Sequence, residues 1–156
     1  MKRKLIKINK LSTNLSGVTG EYLVAGELSR KGYIAALTSR NAKGIDMLAS
    51  NETATKSVGI QVKTNQGDSR KWMLRDKADE YFADNLFYVF VNLNSGRSYC
   101  EYFIVPSKVV AKYVKTKHKE WLKTPGSKGQ KHNDNSIRWF RDYECKYLNR
   151  WDLLGL

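Results

Sequence analysis

Acid is scarce in this sequence. Fifteen Asp and Glu stand against 28 Lys and Arg, for a formal net charge of +13. Such a surface attracts polyanions and speeds encounter with them, and nucleic acid is the first partner it suggests. Cysteine and histidine are equally sparse, with two of each. Cys100 and Cys145 have no metal-ligand spacing, alone or with His118 and His132, which argues against a zinc site and against a disulfide framework. Two lone thiols fit a reducing compartment. The first residues are basic but carry no apolar stretch and no small-residue cleavage site, so a cytoplasmic protein without a signal peptide is expected. No apolar run approaches the roughly 18 residues of a membrane helix. Proline occurs only twice, and no Gly-rich or Pro-rich linker divides the chain. No Ser-His-Asp, Cys-His or P-loop pattern is present.

What remains is a chain of 156 residues, long enough to bury one core. The spacing predicts a helix from Gly17 or Val18 to Gly32, with Ser16 as N-cap. Strands are predicted over 33–38, 45–50, 57–64 and 71–75. The second and third are joined by the polar stretch 51–56, as in an antiparallel hairpin. The continuous apolar run 86–93 reads as a strand covered on both faces. A strand over 101–105, a helix over 108–122, a polar loop over 123–136 and a last short helix over 137–147 complete the order. Helix, strands, helix predicts an α/β architecture: helices flanking a mixed sheet.

The chemistry concentrates early. In the strand around Gln61, Val58, Ile60 and Val62 alternate with Gly59, Gln61 and Lys63. Period two places Gln61 and Lys63 on one face, roughly 7 Å apart. An ammonium there calls for an acidic or phosphate partner, and the hairpin brings Asp46 back to supply it. Asp46 sits in Gly44-Ile45-Asp46-Met47-Leu48, where a carboxylate among apolar residues is costly unless paired or metal-bound. On the first helix, Val18, Glu21, Ala25 and Leu28 share a face, which directs Glu21 toward the sheet. Glu27 falls with Arg30 and Lys31 on the solvent side. Taken singly, each of these residues also fits a structural ion pair.

A helix-borne acid in Gly20-Glu21, then Gly44-Ile45-Asp46, then Gln61-Val62-Lys63-Thr64 resembles the PD-(D/E)XK nuclease superfamily. The variant with Gln-x-Lys is similar to intron-encoded homing endonucleases and Mrr-type restriction enzymes. The first-helix acid is similar to that of Holliday-junction resolvases. The resemblance covers residues 16–67. It implies a restriction-endonuclease-like fold and a metal-dependent endonuclease acting on double-stranded DNA. It also implies that Asp46, Gln61, the Val62 carbonyl and Glu21 bind Mg²⁺ or Mn²⁺, while Lys63 orients the attacking water. Most of the superfamily carries an acid where this chain has Gln61, so a non-catalytic DNA-binding protein on the same fold is the alternative. The organisation expected is a basic arm over 1–15 and a single nuclease-like domain over 16–156.

Further basic residues are the expected DNA contacts. Lys108, Lys112, Lys115 and Lys119 fall on one helical face, able to follow a phosphate backbone. Lys128 and Lys131 lie in a polar loop able to enter a groove. The four tryptophans, Trp72, Trp121, Trp139 and Trp151, read as core or interface anchors. Cutting both strands of a duplex takes two sites, so a homodimer or dimer of dimers is expected. The strand at 86–93 or, preferentially, the apolar C-terminal segment 143–156 would form its interface.

Overall fold

The structure of the protein, a computed structural model, describes residues 10–39, 44–94 and 99–156. Most of the expected basic arm therefore lies outside the described residues. Helix α1 (Thr13–Arg30) begins earlier than the apolar pattern indicates. Ser12, not Ser16, caps it, its hydroxyl accepting the Leu15 amide at 3.2 Å. The segment Ser12-Thr13-Asn14-Leu15-Ser16 offers several capping side chains. The choice falls to Ser12 because the buried stripe is Ser16, Gly20, Val24 and Leu28. That stripe is strictly i, i+4, so Ser16 has to be inside the helix to extend it.

Five strands form the main sheet in the order β1 (Ile34–Leu37), β2 (Met47–Ser50), β3 (Ser57–Asn65), β5 (Leu86–Asn92) and β6 (Glu101–Pro106). All neighbours are antiparallel except β3 and β5, which run parallel with Gln61 opposite Tyr88. The crossover between them carries β4 (Lys71–Arg75) and a short 3₁₀ turn, Asp76–Asp79. Every residue of β5 is buried, as its unbroken apolar sequence requires. It is a central strand and offers no interface to a second copy.

Period two sorts the sheet's side chains onto two cores. Met47, Ala49, Val58, Ile60, Val62, Val89 and Val91 meet Val24 and Leu28 of α1. Trp151 and Leu154 close this same core from the C-terminus. Trp151 and Leu154 of the apolar terminal segment are thus buried within the chain, while Tyr143 at its start is exposed. On the opposite face Tyr88, Phe90, Phe103 and Val105 meet Val110 and Val114 of helix α2 (Ser107–Lys123). Trp72 and Phe140 complete this second core, with Phe140 stacked on Phe90 at 4.6 Å between ring centroids.

Phe140 belongs to a strand where a helix over 137–147 is expected. β7 (Ile137–Arg141) pairs antiparallel with β4 as a separate two-stranded sheet. The alternation decides it: Arg138 and Phe140 are buried while Ile137, Trp139 and Arg141 face out. Asp142 then turns the chain, its carboxylate accepting the Lys146 and Tyr147 amides at 2.9 and 2.8 Å. Among the described residues no helix is long and apolar enough to cross a membrane.

Candidate metal centre and nucleic-acid interface

The site is built where β2 and β3 part. Their ladder ends at Met47 opposite Ile60. One residue earlier the Asp46 amide still donates to Ile60 O at 2.8 Å, and the Thr38 amide donates to Asp46 O at 3.0 Å. Beyond this point β3 continues without β2, and the Val62 amide faces an uncovered edge. The Asp46 carboxylate fills that role: its Oδ2 accepts the Val62 amide at 2.7 Å. The carboxylate is thereby fixed at the strand edge. In a strand the amide and carbonyl of one residue leave on the same edge, so the Val62 carbonyl shares this edge with Asp46.

Two glycines in the motif segments have contacts that explain them. Gly44 adopts φ +74, and a Cβ there would fall 2.7 Å from the Tyr81 ring. Both facts keep other residues out of the turn that delivers Asp46. Gly20 lies against β3, where a Cβ would fall 1.9 Å from Thr64 Oγ1. The close approach seats α1 on the sheet and brings the next residue, Glu21, to the Asp46 side. Glu21 is half-buried and lies beside the buried stripe, one position round the helix from Gly20. Glu27, expected on the solvent side, pairs with Arg30 at 2.9 Å.

Glu21 and Asp46 line one cleft of about 340 Å³ with Thr13, Asn14, Thr38 and Ile45. Gln61 and Lys63 line an adjoining depression of about 520 Å³ with Gly44, Tyr81 and Tyr88. The strand alternation has therefore put Glu21 on the α1 side of β3 and Gln61 with Lys63 on the other. Asp46 and the Val62 backbone stand at the edge between them. No carboxylate among the described residues lies within 4.0 Å of Lys63 Nζ, so the expected ion pair with Asp46 is not formed. Tyr88 and Tyr81 are site residues that the sequence reading missed. Register alone reveals Tyr88, since it lies directly opposite Gln61 on the parallel strand. Burial, aided by Tyr81 and by the Asp46 charge, pushes the Tyr88 phenol up to about 12. It stays protonated near neutrality and can donate but not act as a base.

The donor set tests well against a hard divalent cation. Two carboxylates line one cleft, and an amide oxygen and a main-chain carbonyl lie on the adjacent strand. All are oxygen ligands, the kind that suits Mg²⁺ or Mn²⁺ rather than zinc. Among the described residues no three His, Cys, Asp or Glu gather, so any such site leans on neutral oxygens beside Asp46 and Glu21.

The expected DNA contacts fare unevenly. Lys112 and Lys119 of α2 are exposed, as are Lys128 and Lys131. Lys108 is paired with Asp84, and Lys115 with Glu80 at 3.5 Å, both as exposed surface ion pairs. Trp72 and Trp151 are core residues. Trp121 and Trp139 are not: Trp121 stacks with His132 at 4.1 Å, and Lys71 Nζ sits 3.8 Å from the Trp139 ring centre.

With that geometry in view, a solved bacterial homing endonuclease, I-Ssp6803I, superposes on the chain with a TM-score of 0.56. The match covers 94% of this chain and 94% of that one, at 11% sequence identity. The chain shares the fold of a homing endonuclease. At that identity the likeness is one of fold, and it accounts for the mixed sheet flanked by helices. No family model matches the chain, and no curated protein matches it.

Proposed function

We propose that the protein is a PD-(D/E)XK-type endonuclease that hydrolyses phosphodiester bonds of double-stranded DNA with Mg²⁺ or Mn²⁺. The observation that carries this reading is Asp46. Its carboxylate is pinned at the parting of β2 and β3, with Glu21 in the same cleft and Gln61 and Lys63 beside it. Asp46 and Glu21 would hold the ion, with the Gln61 side-chain oxygen and the Val62 carbonyl. When bound, the ion supplies Lewis-acid stabilisation of the charge that builds on the phosphate. Lys63 orients the attacking water and offsets that charge, a role open to an ammonium that no described carboxylate neutralises. Tyr88 remains a neutral donor beside Gln61. The net charge of +13 draws the polyanion in.

Cleavage of both strands takes two copies of this site, so the reading includes a homodimer or dimer of dimers. A cytoplasmic location goes with it. The second reading, a non-catalytic DNA-binding protein on this fold, rests on Gln61 standing where an acid would add charge to the ion's ligands. Supercoiled plasmid separates the two. Purified protein is expected to relax it with Mg²⁺ or Mn²⁺ and to leave it intact in EDTA. Binding without relaxation under either ion would select the second reading.

A further inference from the structure

The face of β4 and β7 turned away from the core sets cations beside apolar side chains. The register places Lys71 opposite Arg141, Met73 opposite Trp139 and Arg75 opposite Ile137. The alternate residues Trp72, Leu74, Arg138 and Phe140 are buried, so these six share the outward face. It carries three cations, no acid, and an apolar centre in which Met73 is 49% exposed. Like charges directly opposite one another destabilise a strand pair, yet Lys71 and Arg141 occupy such a position. The Arg141 side chain makes no hydrogen bond or ion pair with a described residue. Of the nearby acids, Asp142 accepts the Lys146 and Tyr147 amides and Asp79 holds Arg138 through bonds of 3.0 Å; Glu144 lines a hollow with Arg141 but forms no ion pair with it.

The hollows on either side of the Lys71–Trp139 contact extend this field. One is lined by Lys117, Trp121 and Arg141. The other runs from Lys71 and Trp139 past Lys10 to Lys63 and Thr13. No carboxylate is among the described residues lining either hollow. Since Thr13 also lines the Asp46 cleft, the basic track is continuous from the ribbon to the candidate metal centre.

We infer that the outward face of the β4–β7 ribbon is a docking surface for duplex DNA, with Lys71, Arg75 and Arg141 on phosphates and Met73, Ile137 and Trp139 toward the groove. The inference rests on the nuclease reading for its choice of polyanion. Its geometry suits B-form DNA. Two strands about 4.8 Å apart fit a major groove about 12 Å wide, which is known to admit a β-ribbon. The deep, narrow major groove of duplex RNA does not admit one.

The test is binding, measured apart from cleavage. Fluorescence anisotropy with a mixed-sequence DNA duplex in EDTA, across a salt series, compares the full chain with Arg75→Ala/Arg141→Ala. Weaker binding is expected, with the slope of log K against log salt reduced by about 1 per residue removed. A Lys112→Ala/Lys119→Ala variant should lose less. Unchanged affinity and slope in the ribbon variant, or an equal loss in the α2 variant, would overturn the proposal. So would tighter binding of a duplex RNA of the same length. Relieving a like-charge pair should leave the melting temperature level or raised; if the double variant does not fold, Arg141→Gln alone gives the same readout. Because no ion is present, failure of the plasmid assay would refute the nuclease reading while this result stood on its own.

Discussion

Replacing Asp46 by Ala is expected to lower plasmid cleavage by about 10³-fold or more while changing duplex affinity little. On the proposed function, the variant would lose a metal ligand whose charge stabilises the transition state, and the size follows from that. Affinity survives because it rests on phosphate contacts spread over the surface. Asp46 also has a structural task, accepting the Val62 amide at 2.7 Å, and the Ala variant loses both roles at once. Asp46→Asn separates them, since its amide oxygen can still accept that bond but brings no charge. Loss of cleavage in both variants, with both folded and binding DNA, identifies a metal ligand. Activity retained in Asp46→Asn and lost in Asp46→Ala would reduce Asp46 to a clip on the edge of β3.

Gly20→Ala is expected to act against ordinary helix propensity. In an open helix position Ala is favoured over Gly by about 1 kcal/mol. At Gly20 the new methyl would meet Thr64 Oγ1 at 1.9 Å and Thr64 Cβ at 3.0 Å. Either β3 or α1 must shift, at a cost of about 1–3 kcal/mol, and α1 carries Glu21 with it. Cleavage should therefore fall by at least tenfold, because a small misplacement at a reacting centre costs that much or more. Gly26 provides the contrast on the same helix. Nothing lies within 4 Å of a Cβ there, so Gly26→Ala should raise stability by roughly 0.5–1 kcal/mol and spare activity. Urea denaturation gives the opposed signs directly. Adding Thr64→Ala to Gly20→Ala should recover part of the loss, since it removes the closest atom. Equal and favourable effects at both glycines would mean that α1 does not press on β3 as described.

Local pattern made much of this fold legible. The apolar run at 86–93 is typical of a strand covered on both faces, and the polar stretch at 51–56 indicates the β2–β3 hairpin. Alternation along 58–63 assigned Gln61 and Lys63 to the face opposite Val58, Ile60 and Val62. α1 packs on the valine side, so Glu21 reaches the site across the strand edge rather than facing Gln61. What stayed hidden depends on contacts between distant residues. Gly20 and Gly44 were visible as motif letters, but their reasons are Thr64 and the Tyr81 ring. Ile137 to Arg141 carries no local sign of being a strand, because its partner, β4, lies more than sixty positions earlier. The paired state of Lys108 and Lys115 likewise depends on Asp84 and Glu80 in a loop before β5. The ribbon's basic face follows from that β4–β7 pairing and could not be seen without it.

The central claim is that a divalent ion binds among Glu21, Asp46, Gln61 and the Val62 carbonyl. Iron-directed cleavage of the polypeptide locates such an ion. Fe²⁺ with ascorbate and peroxide replaces Mg²⁺ in the protein–duplex complex, and hydroxyl radicals cut the backbone close to the bound metal. Mass spectrometry of the fragments should show cuts clustered at 20–22, 45–47 and 61–63, suppressed by excess Mg²⁺ and absent in Asp46→Ala. Mg²⁺-sensitive cuts clustered elsewhere, or a pattern unchanged by Asp46→Ala, would contradict the account.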